Sequence, residues 1–156
     1  MRRRIVQATV LDHPLILDNI GNARESIMHM DNRKALGDLT RSLRDLHQAL
    51  VQVARREYER QWGAVDSAQL LQLLTRHPDF DWLQALSELM VDIDEMLDRD
   101  QPRSEDVGVV RDALEKMLAP GESAGSGFST RYVAALQHDP ALVIAHMGVR
   151  RILDTL

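Results

Sequence analysis

The chain of 156 residues contains no cysteine. This absence excludes disulfide frameworks, thiolate metal sites and a thiol nucleophile, and it fits a reducing compartment. Aromatic side chains are also scarce, so aliphatic residues, mainly leucine, must fill the core. The six aromatic residues are Tyr58, Trp62, Phe80, Trp82, Phe128 and Tyr132.

Long apolar runs and excess positive charge are missing too. No window approaches the ~20 apolar residues of a membrane-spanning helix. The apolar stretch after Met1 to Arg4 is interrupted by Gln7 and Thr9, so it is too short for a signal peptide. We therefore expect a cytoplasmic protein with no membrane segment. A net charge of −5 argues against general affinity for nucleic acid and favours protein or small-molecule partners.

What the sequence does contain predicts an all-α fold. Hydrophobic residues make up 44% and charged residues 28% of the chain, as in ordinary globular domains. Apolar residues recur at helical spacing through most of it. We predict a single-domain bundle of six or seven helices over residues 1–156. Residues 1–12 are interpreted as a short N-terminal arm, because no later segment offers a partner strand.

The first two predicted helices carry separate apolar rows. Pro14 favours a first helical turn, and the first row consists of Ile16, Ile20, Ala23, Ile27 and Met30. Asp31 and Asn32 are predicted to end that helix or to cap the next one. A second helix is expected from about Arg33 to Trp62, stopped by Gly63. Its unbroken heptad pattern, without sustained flanking charges, favours a bundle over a coiled coil; the row consists of Leu36, Leu39, Leu43, Leu46, Leu50 and Val53.

The second half predicts shorter helices. Asp66 and Ser67 are helix-capping residues before a short apolar run, which Pro78 ends. A long amphipathic helix follows, and then another that Ser104 starts. Residues 120–127 are predicted to be a flexible Gly/Ser linker loop. Two more helices are predicted, a short one near 128–136 and a last one from Pro140 to about Leu153. Asp139 is expected to cap the last helix.

Part of the C-terminal half resembles uncharacterised bacterial all-helical proteins. The residues that carry the resemblance are 79–83, 86–89, 93–95 and the stretch from Tyr132 to Pro140. The resemblance implies a bacterial source and a helical fold. It implies no functional residue, because those proteins have no assigned activity.

Local catalytic and metal motifs fail in their context. Gly121 to Gly125 fits the G-x-S-x-G pattern of serine hydrolases, but that serine needs a strand-to-helix turn, whereas a helix and Pro120 precede it here. No glutamate has a histidine three residues later, and H-x-x-x-H spacing is absent, so helix-face metal sites are not indicated. We predict no catalytic residue, no metal and no cofactor.

His146 and Arg150 are the candidate ligand-binding residues. His146 falls among Leu142, Val149 and Leu153 on the apolar face of the last helix, where an imidazole needs a hydrogen-bond partner. A satisfied or half-exposed core histidine is favoured over a ligand or acid/base role. Arg150, one turn later, is placed either to bind an anion or to extend into solvent.

Two charged sets are interpreted as ordinary surface. Asp81, Glu88, Asp92 and Glu95 share one stripe of the long helix, pointing away from its apolar face, which favours a solvated face over a docking surface. Three arginines at residues 2–4 are read as a solvated terminus.

The leading functional hypothesis is a non-enzymatic bundle that binds another protein or itself, because the chain has several helical seams and no catalytic motif. The alternative is a small-ligand-binding protein or enzyme with an inter-helix pocket near His146. Nucleic-acid binding through the arm ranks last.

Overall fold

A computed structural model describes residues 14–99, 101–120 and 127–156, with side chains from residue 19 onward. These residues form six α-helices and one 3₁₀ helix, with no strand among them, which confirms the all-α bundle. The arm at 1–12 and most of the loop at 120–127 lie outside the described residues. The elements are α1 (Pro14–Trp62), α2 (Ser67–Arg76), a 3₁₀ helix (Pro78–Leu83), α3 (Gln84–Asp98), α4 (Ser104–Leu118), α5 (Phe128–His138) and α6 (Pro140–Leu153).

The predicted break at Asp31 and Asn32 is wrong. Residues 14–62 form one continuous helix of 49 residues, which is ~74 Å long at 1.5 Å per residue. Asn32 does not cap a helix; its side-chain amide donates to the carbonyl of Pro102, 3.2 Å away. The side chain of Asn32, which the sequence suggested as a helix-terminal residue, therefore makes a long-range contact instead. The other end is as predicted, because α1 stops before Gly63, which has a positive φ of 91°.

The core is built around the second row of α1. All five leucines of that row, from Leu36 to Leu50, are fully buried. α6 packs along one side of them and α3 along another, while α4, α5 and the 3₁₀ helix complete the enclosure. The partners in this core include Phe80, Leu86, Ile93, Leu114, Phe128, Tyr132, Leu142 and Val149.

The predicted helix ends of the second half are largely confirmed. Asp66 caps α2 by accepting from the backbone N–H of Gln69, whose side chain accepts in return from Asp66 N–H. Asp139 caps α6 through Leu142 N–H, with Pro140 in the first turn. None of the described helices combines the length and apolar character needed to cross a bilayer.

Candidate functional site

The N-terminal third of α1 leaves its apolar row exposed. Ile20 is 46% exposed, Ile27 59% and Met30 71%, and Ala23 is exposed as well. Every side chain from residue 19 to 28 lies at the surface. We call Ile20, Ala23, Ile27 and Met30 the outer row. Four apolar side chains at spacings of three and four residues, all uncovered, are typical of a helix that packs against another helix.

The outer row faces away from the bundle. At 100° per residue, it is centred ~160° around the helix from the buried row that begins at Leu36. His29 and Asn32 continue the buried row toward the N-terminus, and both contact the chain segment between α3 and α4. One continuous helix therefore presents two apolar rows on nearly opposite sides. Among the described residues, the bundle covers only the buried row.

Contacts from the α3–α4 connection mark where the bundle ends along α1. Pro102 carbonyl oxygen lies 3.1 Å from Nδ1 of His29, and the Arg33 guanidinium donates to the Arg99 carbonyl over 2.8 Å. Ser104 adds a contact of 3.4 Å from its hydroxyl to the Met28 sulfur. These contacts fix α1 against the bundle from about residue 28 onward. The preceding turns of the helix extend past them.

The outer row has defined flanks. Arg24 and Asp31 lie on the same flank of the row, separated by two helical turns, and both are exposed. Glu25 lies on the opposite side of the helix from the row. Beyond Met30 the same face becomes charged: Lys34 and Arg41 both pair with Asp38, at 2.9 Å and 2.6 Å. The apolar surface therefore ends at Met30.

His146, the predicted site residue, is half-buried and joined to Tyr132. Its Nδ1 lies 2.6 Å from the hydroxyl of Tyr132, a side chain that is fully buried. Burial raises the pKa of Tyr132, so its hydroxyl stays protonated and can donate to the neutral imidazole. Burial, and next the charge of Arg150, lower the pKa of His146. The pair satisfies both polar groups.

Arg150 is half-buried and lies one turn from His146 on the same helix. Its guanidinium is 3.8 Å from the Asp154 carboxylate, with side chains 43% and 71% exposed. At that distance and exposure the ion pair is weak. The structure thus brings His146 together with Tyr132 rather than with a second acid or base. The binding role predicted for His146 and Arg150 stays a prediction.

A groove between α1 and α6 lies beside this pair without including it. Its volume is about 500 Å³, and it is wide open to solvent. Small side chains form its floor, and Ile144, 72% exposed, forms one rim. The close approach of the helices is visible at Gly148, where an added Cβ would lie 3.1 Å from Ser42 Oγ. The lining residues are Ser42, Asp45, Gln48, Ala49, Gln52, Ala141, Ile144, Ala145 and Gly148.

The sequence did not predict two polar contacts that cross the bundle. His47 Nε2 lies 3.0 Å from Ser87 Oγ, and burial lowers the pKa of His47. Arg56 forms an ion pair with Asp139, the residue that also caps α6. Each pair joins residues at least forty positions apart, so no local spacing signals it. Both fasten neighbouring helices to α1.

The predicted acidic stripe is only partly a stripe of one helix, because Asp81 lies in the 3₁₀ helix and the other three acids lie on α3. Asp81, Glu88, Asp92 and Glu95 are all exposed. Within the described ranges, no group of three or more histidine, aspartate or glutamate side chains is arranged to hold a metal ion. The Gly121 to Gly125 motif falls outside the described residues.

Comparison of the chain with protein-family models, with curated proteins and with solved structures finds no match in any of the three.

Proposed function

We propose that this protein is a helical interaction module whose outer row on α1 receives an amphipathic helix. The observation that carries the proposal is the exposure of Ile20, Ile27 and Met30 on the side of α1 that faces away from the bundle. Isolated exposed apolar residues are ordinary, but a contiguous apolar row marks a recognition surface. Burying such a row is favourable at ~25 cal/mol per Å² before the costs of association.

The geometry of the row supports a helical partner. Its members recur at i, i+3, i+7 and i+10, which is the spacing that one helix presents to another. The small Ala23 lies between the two isoleucines and leaves space for a side chain of the partner to enter. Because the row stands clear of the other helices, a partner can approach without rearranging the bundle. No enzymatic step is needed in this function.

A matched pair of variants tests the proposal. Ile27→Asp places a charge in the outer row, whereas Val109→Asp places one at an equally exposed apolar residue of α4, which is 62% exposed. Light scattering after size-exclusion chromatography measures self-association, and affinity capture with quantitative mass spectrometry measures other partners. We expect Ile27→Asp, and not Val109→Asp, to abolish the association. If wild type and Ile27→Asp behave alike in both assays, the proposal is wrong.

The alternative function is a small-ligand site near His146. The half-buried position of His146 on α6, beside Arg150, favours it. A thermal-shift screen with metals, nucleotides and metabolites, run on wild type and His146→Ala, tests this alternative. A ligand shift that wild type shows and His146→Ala loses would support it. No shift in the wild type would remove its basis.

A further inference from the structure

One flank of the outer row carries two opposite charges, Arg24 and Asp31, in an order that suits pairing with a second copy of the chain. We propose that two copies of this chain associate through antiparallel packing of their outer rows, so that the proposed function is self-association. This inference rests on the outer row being an interaction surface. It goes further by naming the occupant, the direction and the flanking charge pairs.

Antiparallel packing matches the row to itself without gaps. With a two-fold axis beside residue 25, Ile20 faces Met30 of the second copy, and Ala23 faces Ile27 of the second copy. The second layer combines a small and a large side chain, so that Ile27 fills the space that Ala23 leaves, and the first layer pairs two large apolar side chains. The symmetry repeats both layers, which gives four apolar layers in ~15 Å of helix.

The flanking charges also agree with this direction. In an antiparallel pair, the flank that carries Arg24 meets the same flank of the second copy, which brings Arg24 toward Asp31 of that copy. The two-fold axis creates this opposite-charge pair twice. A parallel pair would instead place Lys34 against Lys34 of the second copy at the layer after Met30, which is unfavourable. The charge order along α1 therefore favours the antiparallel arrangement.

The bundle positions leave room for this dimer. Because the outer row lies ~160° from the buried row, the second helix approaches the side of α1 on which the described residues place no other helix. Antiparallel packing also puts the two bundles at opposite ends of the paired segment. The paired surface buries less area than a standard interface of ~1,600 Å². We therefore expect a dimer with a Kd on the order of micromolar.

Charge-swap variants test the pairing. R24D gives a chain with acids at both flank positions, and D31R gives a chain with arginines at both. Each alone replaces two attractive pairs by two repulsive ones, so we expect its dimer Kd, measured by sedimentation equilibrium, to rise about tenfold. An equimolar mixture of the two should form a heterodimer at least as tight as the wild-type dimer, because opposite charges face each other again. Equal affinities for wild type, both variants and their mixture would overturn the proposed flank contacts.

Cysteine cross-linking tests the direction, and the natural absence of cysteine makes it clean. Ser26 lies on the flank that meets itself in an antiparallel pair, whereas in a parallel pair it faces a different flank of the second copy. S26C should therefore form a disulfide dimer rapidly under mild oxidation, and A23C, whose sulfurs are held in different layers, should form it slowly. The reverse order would overturn the antiparallel arrangement.

The outcomes separate this inference from the proposed function. If wild type is monomeric up to several hundred micromolar, while capture of another protein depends on Ile27 and not on Val109, the self-pairing is wrong and the interaction function stands. If neither self-association nor capture depends on Ile27, both are wrong.

Discussion

The hydroxyl of Tyr132 lies 2.6 Å from Nδ1 of His146, and this contact fastens α5 to α6. Tyr132 is fully buried and stacks on Phe128, with ring centroids 5.4 Å apart. A buried hydroxyl without a partner would cost more than the hydrogen bond itself contributes. The imidazole of His146 on the apolar face of α6 is therefore explained by its contact with Tyr132, which lies on α5.

Tyr132→Phe keeps the ring and removes the hydroxyl. We expect the free energy of unfolding to fall by about 1 kcal/mol, because His146 loses its partner while the stacking on Phe128 remains. Urea unfolding followed by circular dichroism measures the change. His146→Ala in both backgrounds completes a double-mutant cycle, and a coupling energy near zero would show that the contact adds nothing to stability.

Two histidines make stability fall on acidification. Burial lowers the pKa of both His47 and His146 from the usual 6.5, so the unfolded chain binds more protons than the folded one as the pH falls through that value. The free energy of unfolding therefore decreases between about pH 7.5 and about pH 5.5, a window above the ordinary carboxyl range. Urea unfolding at both values measures it. The double variant His47→Gln/His146→Gln should flatten the dependence, and an unchanged slope would contradict the assignment.

The two apolar rows of α1 should respond differently to truncation. Leu43 is fully buried, so Leu43→Ala should lower the free energy of unfolding by about 3 kcal/mol through lost transfer energy and a cavity. Ile27 is 59% exposed, so Ile27→Ala should change it by less than about 0.5 kcal/mol in dilute, monomeric solution. Denaturant titration at low protein concentration measures both. Equal losses would mean that the bundle covers the outer row.

Glycine replacements distinguish the free part of α1 from its packed part. Gly21 has no atom within 4 Å of an added Cβ, so Gly21→Ala should stabilise the surrounding helix by up to about 1 kcal/mol. Amide hydrogen exchange of the helical residues around each replaced glycine, 19–28 for Gly21, measures this local effect. Gly148→Ala is the matched control, because its Cβ would press on Ser42 Oγ and cancel the gain in helix propensity. Slower exchange in both variants, or in neither, would contradict this reading.

Sequence periodicity predicts most of the fold and misjudges one junction. The helix caps at Asp66 and Asp139 are local signals, and the structure places both as expected. The apparent break at residues 31–32 arises because the apolar row moves to the other side of the helix there. A sequence pattern whose apolar positions shift around the helix in this way resembles that of two separate helices. At this junction His29 and Asn32 contact Pro102, about seventy positions later, and periodicity contains no signal of such a contact.

The candidate surface was visible as a pattern, but its exposure was not. Spacing alone identified Ile20, Ala23, Ile27 and Met30 as an apolar face. Whether such a face is covered depends on where the other helices end. Here the connection between α3 and α4 ends beside residues 29–33 of α1, where the carbonyls of Pro102 and Arg99 contact the helix. For His146, the sequence predicts the position on an apolar face. It does not predict the partner, Tyr132, which lies on another helix.

The unbroken backbone of α1 joins the outer row to the core leucines through a single helix. Since a long helix curves only gently where no kink interrupts it, the segment outside the bundle continues the direction of the packed segment. A partner bound to the outer row would therefore be oriented relative to the bundle by α1 itself. Assemblies built from this chain would therefore have defined dimensions, measurable by small-angle scattering.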